Sequence, residues 1–504
     1  MVFMKKIGRV FNAAVVFVFT AIFASQCFAK SSSNTASESE TKSRQYMEMI
    51  NGVFDFVQRN YVDEVDAEVL YTGALKGMLN ALGDPYTVYL DNSTFRSLSD
   101  TTKGQFGGVG LSISKPFEST AEKPAYVEVA SPVEDTPGFR AGIHAGDLII
   151  SANGTDTSKI TMDEVLDILR GPVGETVDLV IRRGKNIEFP VTLTRAIIEV
   201  PTVKYGTIKD VKAAGTVGYV RIIEFIPQTA ERVQQALDSF EKENISSLII
   251  DLRNNPGGLI TSVVDVADKF IDNGPIVSTK SRLAFENSLF TASARKTTFK
   301  KDIPIIVLIN KGSASASEIL SGALKDNHLA YLVGQRTYGK GSVQQVLPLS
   351  ATDGIKITMA RYYTPSDTNI DKIGIPPDRE VLFPDFTEEG EKQYADLIKS
   401  DKVEKIVDGN SAMTESQIAK EAEKLHSQYP AIELFYLRKL IRNEVYRTKG
   451  AMLYDLDWDI QLTAALDILS GSREDFKNLV KNTKTLKELQ EQASSKDDSL
   501  AAAK

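Results

Sequence analysis

Ile305-Ile306-Val307-Leu308-Ile309-Asn310-Lys311-Gly312-Ser313-Ala314-Ser315-Ala316-Ser317-Glu318 runs from an apolar strand through a turn of small residues into a helix that the pattern extends to Lys325. Strands and helices alternate on both sides of it. Upstream, the spacing predicts a strand over Gly218–Ile222, a helix over Thr229–Glu243, a strand over Leu248–Leu252 and a helix after Gly258. Downstream follow strands at Tyr331–Gly334, Val343–Leu347 and Ile355–Tyr363. Such alternation is the pattern of an α/β core.

The texture changes away from this core. Between Gly104 and Arg195, short alternating strands are separated by glycine turns, and one helix is predicted where Met162, Val165, Leu166 and Leu169 share a face. From Tyr46 to Leu82 the apolar residues predict two helices ending at Gly83-Asp84-Pro85, and beyond Phe386 the chain reads as helical. Lys5, Lys6 and Arg9, an apolar run from Ala13 to Ala24 and small residues up to Ala29 read as a secretory signal cleaved after Ala29. The expected partition is a signal peptide at 1–29, a polar linker at 30–45, a helical module at 46–103, a strand-rich domain at 104–195, the α/β core at 196–384, a helical extension at 385–492 and a disordered tail at 493–504.

Of the 504 residues, 42% are apolar and 25% charged, enough for several ordinary cores. A formal charge of −8 offers no basic surface for phosphate backbones and argues against nucleic acid as a partner. Cys27, the only cysteine, falls in the signal segment, so the mature chain is expected to lack disulfides and cysteine metal sites. No metal or cofactor is implied. The expected location is the periplasm or cell envelope, with membrane association through an uncleaved signal or a lipid on Cys27 as the minority readings.

Ser315 stands where a strand meets a helix, so free N–H groups of the first helical turn, Ala316 first among them, could face a developing oxyanion. Gly257 and Gly258, in Asn254-Asn255-Pro256-Gly257-Gly258, could bring a second backbone donor close. Lys340 lies between glycines twenty-five positions after Ser315, and a lysine whose ammonium is disfavoured by burial can take a serine's proton. Composition alone does not choose among Ser313, Ser315 and Ser317, since a run of Ser and Ala before a helix is also an ordinary N-cap.

Ser-Ala-Ser-Ala-Ser-Glu-Ile at 313–319, Leu-Lys-Asp-Asn at 324–327, Gly-Lys-Gly-Ser-Val-Gln at 339–344 and Asp-Leu-Arg-Asn-Asn-Pro-Gly-Gly at 251–258 together resemble the carboxyl-terminal processing proteases, also called tail-specific proteases. The resemblance runs from about Tyr46 to Asp378. It implies a crotonase-like α/β catalytic core with an inserted PDZ domain, an N-terminal helical module and a C-terminal helical extension. It implies Ser315 as nucleophile, Lys340 as base, Gln344 as the residue orienting that lysine, and Asp326 in a role found in some members. In the PDZ domain, Gly108, Val109, Gly110 and Leu111 match the turn that holds a peptide carboxylate, and Leu111, Ile113, Val165 and Leu169 the pocket for the last side chain. Arg170 matches an arginine coupling that domain to the core. The implied activity is an exported serine endoprotease that captures substrate proteins by accessible C-terminal tails, with an adaptor or regulatory protein and a homo-oligomer as further expected partners. The chain departs from the family in having Asp367-Thr368-Asn369-Ile370-Asp371 after Tyr362-Tyr363-Thr364-Pro365-Ser366, where an arginine is usual.

Other readings meet specific obstacles. Gly334 to Lys340 fits G-x-x-x-x-G-K, but Gly341 stands where a phosphate-binding loop needs Ser or Thr, and a strand follows where a helix is required. Ser112-Ile113-Ser114-Lys115 fits S-x-x-K, without the companion motifs of a penicillin-binding enzyme. His144, His328 and His426 are in no triad pattern, and H-E-x-x-H is absent. A catalytically silent PDZ-type peptide-binding protein is the rival from another class.

Overall fold

The computed structural model describes residues 38–116, 124–133, 135–184, 187–199, 202–211, 215–299, 302–384, 386–408, 410, 412–446 and 452–502. The signal segment, Cys27 and the start of the polar stretch lie outside them. Among the described residues no helix is long and apolar enough to cross a membrane. The chain divides at Gly83 into two compact units.

Among the described residues, the first unit holds a pair of helices, Glu38–Asn60 and Ala67–Asn80, the second capped by the Asp66 carboxylate accepting from the Glu68 amide at 2.9 Å. Its first helix starts inside the stretch read as linker. Glu, Lys, Arg and Gln there bury little but propagate helix well, a property that an argument from burial misses.

In the second unit a six-stranded sheet carries the α/β core. Val203–Val211 pairs antiparallel with Gly215–Ile222, and then Ser247–Asp251, Ile305–Ile309, Tyr331–Gly334 and Arg379–Glu380 add in parallel. Every residue of Ser247–Asp251 and Ile305–Ile309 is buried, because both sheet faces are covered. Leu248, Ile250, Ile305, Val307 and Ile309 point to the side packed by the helices Thr229–Lys242, Ile260–Ala267 and Ala316–Asp326. Ile249, Ile306 and Leu308 point the other way, onto Leu462, Leu466 and Phe476 of the helices Ile460–Leu469 and Arg473–Lys481. The C-terminal extension therefore supplies one wall of the α/β core.

A second, antiparallel sheet joins Val88–Leu90, Ser342–Pro348, Asn273–Ser281 and Ser288–Ser293 around Gly354–Tyr363. The strands Gln105–Gly108 and Ala196–Glu199 pair with each other and bracket the inserted domain. That domain is a six-stranded sheet with the helix Met162–Leu169, around Val127, Ile149, Val165 and Ile181. The helices from Glu388 to Tyr446 form their own cluster around Ile418, Leu437 and Ile441. The tail expected to be disordered from 493 instead continues the helix Leu486–Ala502, anchored where Leu486 is buried and its amide donates to Asp326 Oδ1 at 2.8 Å.

Candidate active site

Ser315 follows the buried strand Ile305–Ile309 and precedes the helix Ala316–Asp326, with φ 54° and ψ −113°. A non-glycine residue there is strained by about 1–3 kcal/mol and needs its surroundings to hold it. Its neighbours do so. Ser313 Oγ donates to Leu252 O at 2.8 Å, Ser317 Oγ to Asn255 O at 2.9 Å, and Ala314 N to the same Asn255 carbonyl at 3.0 Å. Ser313 and Ser317 are fully buried, whereas Ser315 is half-exposed and lines a cavity of about 490 Å³. Of three adjacent serines, only the middle one faces open space.

Lys340 lines the same cavity, on the segment leading into Ser342–Pro348. The two are brought together by Glu318, which the sequence reading quoted without assigning a role. Its carboxylate is fully buried; Oε2 accepts from Ser315 N at 2.8 Å and Lys340 N at 2.9 Å, while Oε1 accepts from Gly339 N at 2.7 Å and Thr337 Oγ1 at 2.6 Å. Burial pushes the Glu318 carboxyl up, against the pull of these donors. The signal for it was present: Ser315-Ala316-Ser317-Glu318 is a capping-box spacing. Glu318→Gln turns one acceptor into a donor facing buried N–H groups, so it is expected to lower stability by about 1–3 kcal/mol, read as a lower urea midpoint.

Among the described residues no hydrogen bond joins Ser315 Oγ to Lys340 Nζ. The lysine ammonium instead lies 4.8 Å from the centroid of the Tyr86 ring. Burial, and then the charge of Lys356 across the cavity, hold the Lys340 pKa below its ordinary value, while Glu318 and Asp84 pull it up. Tyr86 and Asp84 went unassigned in the sequence. Asp84 Oδ2 accepts from Thr87 Oγ1 at 2.7 Å and Thr358 Oγ1 at 2.6 Å, fixing the turn that presents Tyr86. A hydrogen bond to Tyr338 and burial push the Tyr86 phenol up to about 12.

The other expected residues divide. Gln344 lines the cavity, but its amide donates to Ser342 Oγ at 2.9 Å and Thr358 Oγ1 at 3.3 Å rather than meeting Lys340. Asp326 is at the far end of the Ser315 helix, about 16 Å along its axis, and accepts from Ser366 Oγ at 2.6 Å and Leu486 N at 2.8 Å. It is a structural clamp there, not a member of the cavity. Gly257 N donates to Asn255 Oδ1 at 2.9 Å, which removes it as an oxyanion donor. Ala316 N and Gly258 N have no acceptor among the described residues. Gly257, at φ 108°, lets the two segments meet: a Cβ there would stand 2.8 Å from Ser315 Cβ and 2.9 Å from Ala316 N.

At the entry to the inserted domain, Gly108 ends the strand Gln105–Gly108, and Gly110, at φ 73°, turns the chain into the edge strand Leu111–Ser114, which has a single partner in its sheet. The amides of Val109 and Gly110 have no acceptor among the described residues, as a carboxylate-binding turn requires. Leu111 and Ile113 are half-buried, but Val109, Val165 and Leu169 belong to the domain's interior. The Arg170 guanidinium lies 4.6 Å from the Phe106 ring centroid, and Gly171 N donates to Gly107 O at 3.1 Å, tying the end of the domain's helix to the strand Gln105–Gly108.

Residues 216–381 match the family model for peptidase family S41, residues 128–183 that for a PDZ domain, and residues 10–94 that for the activating protease CtpB N-terminal domain. A carboxy-terminal-processing protease of Bartonella bacilliformis is 37% identical over 73% of this chain and 83% of its own length. Carboxy-terminal processing protease CtpB of Bacillus subtilis is 34% identical over 70% of this chain and 72% of its own. Among solved structures, the photosystem II D1 C-terminal processing protease is 31% identical, covering 66% of this chain and 92% of that one, with a TM-score of 0.40.

Proposed function

Since the chain belongs to the carboxy-terminal processing proteases, we propose that it is an exported serine endopeptidase working through a Ser315–Lys340 dyad. The observation that carries this reading is the Glu318 carboxylate, which accepts from the backbone amides of both residues and so presents them on one cavity wall. A substrate's C-terminal tail adds to the edge strand Leu111–Ser114, its carboxylate on the amides of Val109 and Gly110. Export rests on the basic start and apolar run before Ala29.

Ser315 Oγ attacks the scissile carbonyl as its proton passes to the neutral Lys340 amine. The carbonyl oxygen, now an oxyanion, takes hydrogen bonds from Ala316 N and Gly258 N. Lys340 returns the proton to the departing amine, leaving an acyl-enzyme on Ser315. Water then attacks the ester as Lys340 accepts its proton; on collapse the Ser315 Oγ–carbon bond breaks, Lys340 returns that proton to Ser315 Oγ, and the acid is released. A charged Lys340 is attracted to the face of Tyr86; once deprotonated it loses that attraction and is free to turn toward Ser315.

The test is incubation of the purified chain with unstructured, apolar-ended peptides carrying either a free or an amidated C-terminus, with products mapped by mass spectrometry. Internal cleavage favouring the free carboxylate is expected. Absence of any cleavage refutes the protease reading, and equal rates refute tail capture.

Lys340 is surrounded by Glu318, Asp84 and Tyr86, which favour its charged form, and by Lys356, which opposes it. Removing that repulsion in Lys356→Met raises the Lys340 pKa. The acid limb of the kcat/KM profile should therefore move to higher pH, and an unmoved limb would show that Lys356 does not act on the base.

A further inference from the structure

The loop that carries Gly258 is held by the last part of the chain. Arg253, five positions earlier, directs all five guanidinium N–H donors at acceptors: Nε to Asp251 Oδ1 at 2.9 Å, Nη2 to Asp251 Oδ2 at 2.6 Å and to Asp459 Oδ2 at 2.6 Å, and Nη1 to Asp459 Oδ1 at 2.7 Å and Gln461 Oε1 at 3.2 Å. Asp251 is buried in the central sheet and also accepts from Tyr219 Oη at 2.6 Å. Asp459 and Gln461 lie beyond residue 381, where the peptidase-family match ends. Gln461, fully buried, donates in turn to Val381 O at 2.9 Å.

From Arg253 the loop has little freedom before it reaches the cavity. Asn254, at φ 59°, exchanges two 2.9 Å hydrogen bonds with the Asn310 side chain on the nucleophile's own turn. Asn255 is fully buried; its side chain bridges Ile222 O and Gly257 N, and its carbonyl accepts from Ala314 N and Ser317 Oγ. The positions of Gly258 N and Ala316 N relative to each other are thus set by a turn whose first charged anchor is Arg253. A guanidinium shared by two carboxylates in bidentate geometry fixes orientation as well as place.

We propose that Asp459 is a positioning residue for peptide hydrolysis, acting through Arg253 to hold the Asn254–Gly258 turn in register with Ser315, so that the C-terminal extension is part of the catalytic apparatus. This rests on the dyad reading and on Gly258 N as an oxyanion donor. Asp459 also caps the helix Ile460–Leu469 by accepting from Leu462 N at 2.9 Å, so the variants must keep the cap and lose the clamp. Asn and Ser both cap helices well. Asp459→Asn puts an amide donor against the guanidinium, and Asp459→Ser is too short to reach it.

The experiment compares the full-length parent, Asp459→Asn, Asp459→Ser and Ser315→Ala for kcat, KM, urea midpoint and inhibition by a peptide aldehyde, whose adduct carries the tetrahedral oxygen. For the Asp459 variants we expect kcat to fall roughly tenfold to a hundredfold, KM to stay within about twofold, and the aldehyde to weaken in step with kcat. Full kcat in folded Asp459→Ser, a loss confined to KM, or loss of folded protein in both variants overturns the proposal in favour of a structural staple. Activity that survives Ser315→Ala sinks the dyad reading and the clamp with it, and so separates the two failures.

Discussion

Ser315→Ala should lower peptide turnover by roughly 10⁴-fold or more while leaving tail binding and the urea midpoint close to those of the parent. The size follows from chemistry: without the hydroxyl no acyl-enzyme forms, and the remaining groups can only orient water. The small effect on folding follows from position, because Ser315 is only partly buried at the cavity and the bond from its backbone N–H to Glu318 survives the substitution. Ser313→Ala and Ser317→Ala are the internal controls. Their hydroxyls donate to Leu252 O and Asn255 O inside the protein, so each should cost about 1 kcal/mol of stability and keep the dyad. Undiminished turnover in Ser315→Ala, measured on a quenched peptide, would remove the nucleophile from the mechanism.

Lys340→Arg should be nearly as severe, roughly 10⁴-fold, at every pH where the protein stays folded. A guanidinium remains protonated and cannot accept the serine proton, although it preserves the charge over Tyr86 and the backbone bond from residue 340 to Glu318. In the parent, burial and Lys356 favour the neutral amine, so turnover should rise with pH through the lowered pKa of Lys340, tenfold per unit on the acid limb. A flat profile in the parent, or an active arginine variant, would show that another group takes the proton.

What the sequence made legible was local or motif-borne. The apolar run Ile305–Ile309, the turn at Ser315 and the glycines beside Lys340 are contiguous signals, and the structure places them in one core and one cavity. Asp326 misled because a motif gives order, not distance: eleven residues of helix carry it to the opposite end from Ser315. Gly257 misled because its amide is engaged by the side chain of Asn255, two residues away, which no glycine pattern reveals. Tyr86, Asp84 and Asp459 were invisible for a different reason. Each acts across a chain separation far longer than any periodicity spans, and only the folded sheet order brings them to Lys340 and Arg253. At both ends, polar stretches such as Glu38–Gln45 read as structureless because they bury little, yet helices continue through them.

The second wall of the central sheet, made by Ile460–Leu469 and Arg473–Lys481, sets a timetable for the chain's maturation. Synthesis proceeds from the N-terminus, so Ser315, Lys340 and Glu318 all emerge well before the segment that shields Ile249, Ile306 and Leu308 from water. A polypeptide made as far as residue 340 holds Ser315, Glu318 and Lys340, yet leaves that face of the sheet bare and Arg253 without its Asp459 partner. That face of the sheet is thereby covered only after residues 460–481 have been made.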